Sequence, residues 1–337
     1  MSAVLLASAV VAAAPAHGRE SGQSLAQQPS FQLPVLCDMA RVCSIQNYFD
    51  HTPGSGRTDY ACGRLSYDGH DGTDFRVPDI VAMRHGVAVV AAAGGTVVAT
   101  RDAMPDISVK TLGKDAVRNR EAGNGVVIDH GAGWQTQYSH LKLGSVRVRP
   151  GQSVKAGDVL GEIGMSGNAE FPHVEFVVRY NSVALDPFVG AAEFQDCKGD
   201  RAPLWSEATL AALPYRPTGP LAAGFASEQP NPTRAREGHY REAELPVMAP
   251  VLVLWAESFG VLKGDVERFE IIGPGQDRIL RNERRIETDY VSWFSFGGLK
   301  RPASGWAEGQ YQGTYTVTRA GKEILSMTRS VMLVKTQ

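Results

Sequence analysis

From Cys62 to Phe188 the chain runs through short stretches in which apolar residues alternate with polar ones or gather in brief blocks: "VAVVAAAGGTVVAT", "GVVIDH", "QTQYSHL", "SVRV", "DVLGEIG" and "HVEFVVRY". Alternation places one apolar row on the core side of a strand, and the Gly, Asn and Pro residues between the runs supply turns. No long amphipathic helix fits among them, so the segment predicts an all-β domain. A second β-rich region begins near Glu244 with "VLVLWAESF", "VERFEIIGP", "YVSWFSF" and "YTVTRAGKEILSMTRSVMLV", the last predicting a hairpin that turns at Ala320-Gly321. Its runs carry Trp255, Trp293 and Trp306 and predict a small β-sandwich.

The intervening segments read differently. "SEATLAALP" predicts a short helix capped by Ser206 and stopped by Pro214, followed by a linker rich in Pro, Gly and Ser to about Arg241. Residues 101–124, "RDAMPDISVKTLGKDAVRNREAGN", are too long for a tight hairpin and predict a surface loop bordering a groove. Near the start, "AVLLASAVVAAAPA" is too short to span a bilayer and ends in the small residues Ala14-Pro15-Ala16, which reads as an export signal. Its leading Met1-Ser2 brings no basic residue. The expected boundaries are 1–16 for the signal, 17–61 for a polar tail and ordered lead-in, 62–200 for the first β domain, 201–243 for helix and linker, and 244–337 for the sandwich.

Charge and cysteines narrow the partners and the compartment. With 34 Lys and Arg against 36 Asp and Glu, the chain has no overall field to hold nucleic acid or an anionic membrane. The apolar pattern contains no transmembrane segment. Four cysteines, Cys37, Cys43, Cys62 and Cys197, fit an oxidising compartment and two disulfides, with Cys37–Cys43 and Cys62–Cys197 the favoured pairing. Zinc ligation by these thiols is the rival, although their spacing matches no zinc-finger pattern.

Candidate chemistry lies in three short blocks. In "PHVEF", His173 and Glu175 share one strand face. Alone that would be a solvated polar face. It is joined by His70 and Asp74 in "GHDGTDF" and by His140 in "QYSHL". His51, His85, His130 and His239 have no such company and read as structural.

These blocks, with "GNGVVIDHGAGWQTQYSHL", "VRPGQSVKAGDVLGEIGMSGNAEFPH" and the closing "ALDPF", resemble the M23, or LytM-type, zinc metallopeptidases, which cleave peptide cross-links of bacterial peptidoglycan. The resemblance covers roughly Tyr60 to Phe188. It implies an antiparallel β-sheet core with a groove, zinc ligands at His70 and Asp74, and His140 and His173 as the pair that orients water and steadies the oxyanion. The family's third ligand is a histidine, and this sequence has Glu175 there. Glutamate is an acceptable zinc ligand, so His70, Asp74 and Glu175 retain the three-ligand form of a catalytic site. The added negative charge should raise the pKa of an activated water above about 7 and slow the reaction or move it to higher pH. Tyr138 either adds a donor beside His140 or packs in the core.

The resemblance therefore implies an exported, periplasmic or envelope-associated zinc endopeptidase acting on peptidoglycan peptide stems. The alternative is a catalytically weak or inactive LytM-type regulator whose groove binds and activates a cell-wall hydrolase.

Overall fold

The computed structural model describes residues 28–39, 41–191, 194 and 199–335. The export signal expected over residues 1–16 lies outside them. The first half builds on an eight-stranded antiparallel sheet, with Ser44–Asn47 at one edge, then Thr73–Arg76, His173–Tyr180, Trp134–Leu141, Asn124–Gly131, Gly95–Arg101 and Ser153–Val154, while Val183–Leu185 pairs with His173–Tyr180. Alternation works as expected in the central strands. Val126 and Ile128 on one strand, and Trp134 and Tyr138 on the next, are fully buried on the same face. The turn between these strands requires glycine. Gly133 sits at φ +85°, and a Cβ there would stand 2.2 Å from Asn181 Oδ1.

The lead-in is part of this fold. Phe31 and Val35 are buried in the first core, and Phe31 bridges Trp205 across hydrogen bonds to Leu204 and Ser206. Cys37 and Cys43 are disulfide-bonded with their Cα atoms 6.0 Å apart. Cys62 is disulfide-bonded as well, and Cys197, the partner expected for it, lies outside the described residues. The helix expected after Ser206 spans Glu207–Ala212, with Ser206 Oγ accepting from the Thr209 amide at 3.2 Å. Residues 101–124 hold two single-turn helices, Val109–Leu112 and Lys114–Val117, pinned by a small apolar cluster of Met104, Val109 and Val117.

The C-terminal region is a β-sandwich. A three-stranded sheet ordered Gly219–Ala226, Val251–Val261, Tyr290–Lys300 faces a five-stranded sheet ordered Glu244–Pro246, Lys322–Val334, Gly309–Arg319, Val266–Ile272, Arg278–Arg285. Between them Phe225, Leu252 and Leu254 meet Phe269, Tyr315, Val317 and Leu333 in a second core. The strand Gly219–Ala226 falls inside the segment that composition reads as linker. Its sequence "GPLAAGFA" is small-residue-rich because it runs close to its neighbours: a Cβ on Gly224 would lie 3.0 Å from the Trp255 indole nitrogen.

The two cores adjoin across a charged seam. Leu221 and Phe259 of the sandwich pack into the first core. Arg76, which ends the Thr73–Arg76 strand, is fully buried and faces Glu257 at 3.9 Å, while Arg236 bonds the same carboxylate with its Nε at 2.8 Å. Arg241 pairs with Asp79, and Arg64 with Asp289. Among the described residues no helix is long and apolar enough to cross a membrane.

Candidate metal centre and groove

Strand pairing brings the candidate residues together. Asp74 on Thr73–Arg76 is registered directly opposite Glu175 on His173–Tyr180, and Glu175 is also opposite Ser139 on Trp134–Leu141. Paired residues in an antiparallel ladder project to the same face, so the two carboxylates stand side by side. Gly72 is required between His70 and Asp74, since a Cβ there would come 2.8 Å from Glu175 Cγ.

His140 reaches the same face by breaking the strand rule. Its φ is +64°, its amide turns to the Ala122 carbonyl at 2.8 Å, and the ladder with Asn124–Gly131 slips between Val126 and Asn124. A bulge of this kind reverses the alternation. Tyr138, which regular alternation would place beside His140, instead points into the core, where its hydroxyl accepts from the Ala92 amide at 2.7 Å and its ring packs at a tilt against Phe176. It is a packing residue.

Five side chains thus converge. His70 is wholly buried, with Nε2 3.3 Å from Asp74 Oδ1 and Nδ1 3.5 Å from Glu175 Oε1, and Tyr67 stacks on its ring. His140 Nδ1 bonds the Ser166 carbonyl at 2.7 Å, and His173 Nδ1 bonds the Phe171 carbonyl at 2.8 Å. A carbonyl only accepts, so each Nδ1 carries the proton and each Nε2 is turned inward. Those Nε2 atoms lie 3.6 Å from Glu175 Oε2 and 3.7 Å from Asp74 Oδ1. The second Asp74 oxygen accepts from Asn47 Nδ2 at 2.8 Å. Asn47 sits on the lead-in strand, opposite Asp74 in the ladder, and nothing in the motif blocks points to it.

The electrostatics follow from burial in this cluster. Burial works against ionisation of Asp74, yet His70 and His173, with the hydrogen bond from Asn47, hold its carboxyl well below the usual range. Burial pushes the Glu175 carboxyl up, against the pull of the His140 and His70 imidazoles, with Asp74 adding to the rise. For His70 burial disfavours the cation, but Asp74 and Glu175 outweigh it and raise the imidazole. Burial lowers His173 to about 4, only partly opposed by Asp74.

A divalent cation fits this donor set. Both ring nitrogens of His70 and Oδ1 of Asp74 are buried without a hydrogen-bond partner, a condition that costs about 1–3 kcal/mol for each such group. One donor atom each from His70, Asp74 and Glu175 lies within 4.8 Å of the others. Two carboxylates and one imidazole match the charge and ligand preferences of zinc.

The cluster lies at the floor of a groove of about 490 Å³, whose lining besides Asp74, His140 and His173 includes the basic Arg57 and Lys114, the acidic Asp68 and Glu170, and Tyr67, Asn168, Phe171 and Val291. Lys114 comes from the 101–124 segment, and Val291 from the sandwich strand Tyr290–Lys300. Two histidines away from the cluster are structural: His51 bonds Asp186 at 2.7 Å, and His130 spans Gly94 and Thr136.

The segment that carries this arrangement is similar to known proteins. The profile of peptidase family M23 matches residues 68–187. The cell division protein DipM of Caulobacter vibrioides is 39% identical over 64 residues, 19% of this chain and 10% of that protein. Peptidoglycan DD-endopeptidase ShyA of Vibrio cholerae is 35% identical over 112 residues, 33% of this chain and 20% of that protein. The chain thus spans only a minor part of the length of these relatives. A crystal structure of a zinc containing peptidase from Vibrio cholerae shares 26% identity, covering 47% of this chain and 39% of that one at a TM-score of 0.32. The segment that matches peptidase family M23, residues 68–187, is the one that carries His70, Asp74, His140, His173 and Glu175.

Proposed function

We propose that this protein is an exported zinc metalloendopeptidase that hydrolyses peptide cross-links of bacterial peptidoglycan. The observation that carries the reading is the buried cluster in which His70 and Asp74 present unpartnered atoms beside Glu175, with two further imidazoles aimed at the same point. His70, Asp74 and Glu175 would hold the metal. Bound zinc supplies Lewis-acid polarisation of a peptide carbonyl and makes water more acidic.

The chain's own residues do the rest. His173, kept neutral by burial, offers Nε2 as a proton acceptor at neutral pH, with its ring fixed by the Phe171 carbonyl. The proton it takes can be returned to the leaving amine nitrogen. His140, fixed by the Ser166 carbonyl, is positioned to donate to the oxyanion when its Nε2 is protonated. Glu175 in place of an imidazole cancels more of the cation's charge and so weakens carbonyl polarisation. At the groove, Arg57 and Lys114 have no ion-pair partner among the described residues and suit the carboxylates of peptide stems. The Cys37–Cys43 disulfide accords with an oxidising, extracytoplasmic setting.

A second reading rests on Glu175 itself. Its carboxylate lies 3.5 Å from His70 Nδ1 and 3.6 Å from His140 Nε2, so it faces both imidazoles without a metal between them. The groove would then serve a regulator that binds a cell-wall hydrolase. Metal analysis after zinc supplementation, with digestion of purified peptidoglycan, separates the two. About one zinc per chain and soluble fragments released by wild type but not by His70→Ala support the peptidase, whereas protein that takes up no zinc supports the regulator.

A further inference from the structure

A cavity of about 250 Å³ opens on the seam between the two cores, away from the metal centre. Four arginines line it: Arg41 from the disulfide-closed loop, Arg76 from the strand that carries Asp74, Arg216 from the segment between the cores, and Arg329 from the last sandwich strand. Ser44, Ser326 and Thr328 add hydroxyls, and no Asp or Glu is among the lining residues. The chain as a whole carries a net charge of −2, so this convergence reverses the local balance.

The carboxylates nearby do not cancel it. Arg76 is fully buried, gives hydrogen bonds to Gln46, Val77 and Pro78, and has Glu257 3.9 Å away. That carboxylate is held more closely by Arg236, so one anion stands between two buried or half-buried guanidiniums. Arg41 is 86% exposed and 4.0 Å from Asp38, too loose a pair to neutralise it. Arg329 gives its Nε and one terminal nitrogen to the Ala223 and Thr328 carbonyls, which leave its charge intact. Arg216 has no hydrogen-bond or ion-pair partner among the described residues. Crowding like charges beside a buried one is unfavourable unless an anion joins them, and the guanidinium fork matches carboxylate and phosphate oxygens.

We propose that this cavity binds an oxyanion, a carboxylate or phosphate group, which ties the lead-in, the peptidase sheet and the sandwich together. Its volume falls below the roughly 300–1,000 Å³ of pockets for drug-sized ligands, which suits a single acidic sugar or phosphate group. The site is independent of the metal centre and of the reaction assigned to it.

Isothermal titration of the full chain at constant ionic strength in chloride tests it, with inorganic phosphate in one arm and N-acetylmuramic acid in the other. Saturable binding of phosphate alone identifies a phosphate-bearing ligand, of the sugar acid alone a carboxylate, and of both an oxyanion site of either origin. The double variant Arg41→Ala, Arg216→Ala should weaken that binding by about tenfold or more without altering circular dichroism. Both side chains are exposed, so the fold should tolerate the change; if it does not, Arg329→Gln replaces it. Absence of binding above chloride in both arms, or undiminished binding in the folded variant, overturns the proposal.

Discussion

Buried carboxylates occur in both halves of the molecule, and those of the sandwich are treated unlike Asp74 at the candidate metal centre. In the sandwich, Glu267 accepts from Arg284 Nε at 2.7 Å, Ser295 Oγ at 3.0 Å, Trp293 Nε1 at 2.9 Å and Tyr315 Oη at 3.1 Å. Asp265 is held in the same way by Arg319 and the Leu262 amide. In the eight-stranded sheet, Asp74 accepts one hydrogen bond, from Asn47, and its other oxygen faces an imidazole that is itself unpartnered. A buried carboxylate surrounded by protein donors is a structural tie, because its desolvation is already offset. One left with an open oxygen among inward-facing imidazoles is organised around something the chain does not supply.

The largest effect concerns where the sandwich begins. Gly219–Ala226 is an edge of the three-stranded sheet and adds Phe225 to the second core. A fragment of residues 215–337 should therefore melt cooperatively, while residues 244–337 alone, with the Val251–Val261 strand stripped of a partner, should not. Circular dichroism of the two fragments checks this, and a cooperative melt of the shorter one would restore the boundary read from composition.

Breaking the two kinds of carboxylate should then give opposite results. Glu267→Ala leaves Arg284, Trp293 and Tyr315 without their acceptor and should cost about 3–5 kcal/mol in urea denaturation, with zinc content unchanged. Asp74→Asn should abolish zinc uptake yet leave the metal-free protein as stable as wild type or slightly more so, since it removes a charge with an open oxygen. Equal destabilisation by both substitutions would dissolve the contrast.

A smaller effect is expected at Asn47. Asn47→Ala frees the second oxygen of Asp74 to turn away from the site, and loss of such an outer partner should weaken zinc about 10–100-fold, measured by competition with a chromogenic chelator. The smallest change is Glu175→His. It removes one negative charge from the donor set, and should keep zinc while raising peptidoglycan cleavage near pH 7 by several-fold. Unchanged turnover in that variant would mean that the charge at position 175 does not limit the reaction.

Much of this site was legible in the linear order of residues. His70 and Asp74 lie four apart with Gly72 between them, and His173 and Glu175 lie two apart on one strand; such short-range relations need only local geometry to bring their side chains to one face. The helix start at Ser206 and the hairpin at Ala320-Gly321, where Ala320 has φ +51° and Gly321 φ +79°, are local for the same reason.

What the tertiary structure alone decided depends on segments far apart in the chain or on a departure from regular backbone. Asn47 meets Asp74 only because the lead-in strand is paired in that register, and Val291 reaches the groove only because the sandwich docks beside it. Gly219–Ala226 has a linker's composition and becomes a strand because close packing against Tyr240 and Trp255 favours small residues. His140 and Tyr138 show the limit most clearly: alternation predicts one face for both, but a single residue at φ +64° turns the imidazole toward Glu175 and leaves the tyrosine in the core. Periodicity describes a regular strand, and the bulge that breaks it is stabilised by contacts with Ala122 and Ser166, which come from other parts of the chain.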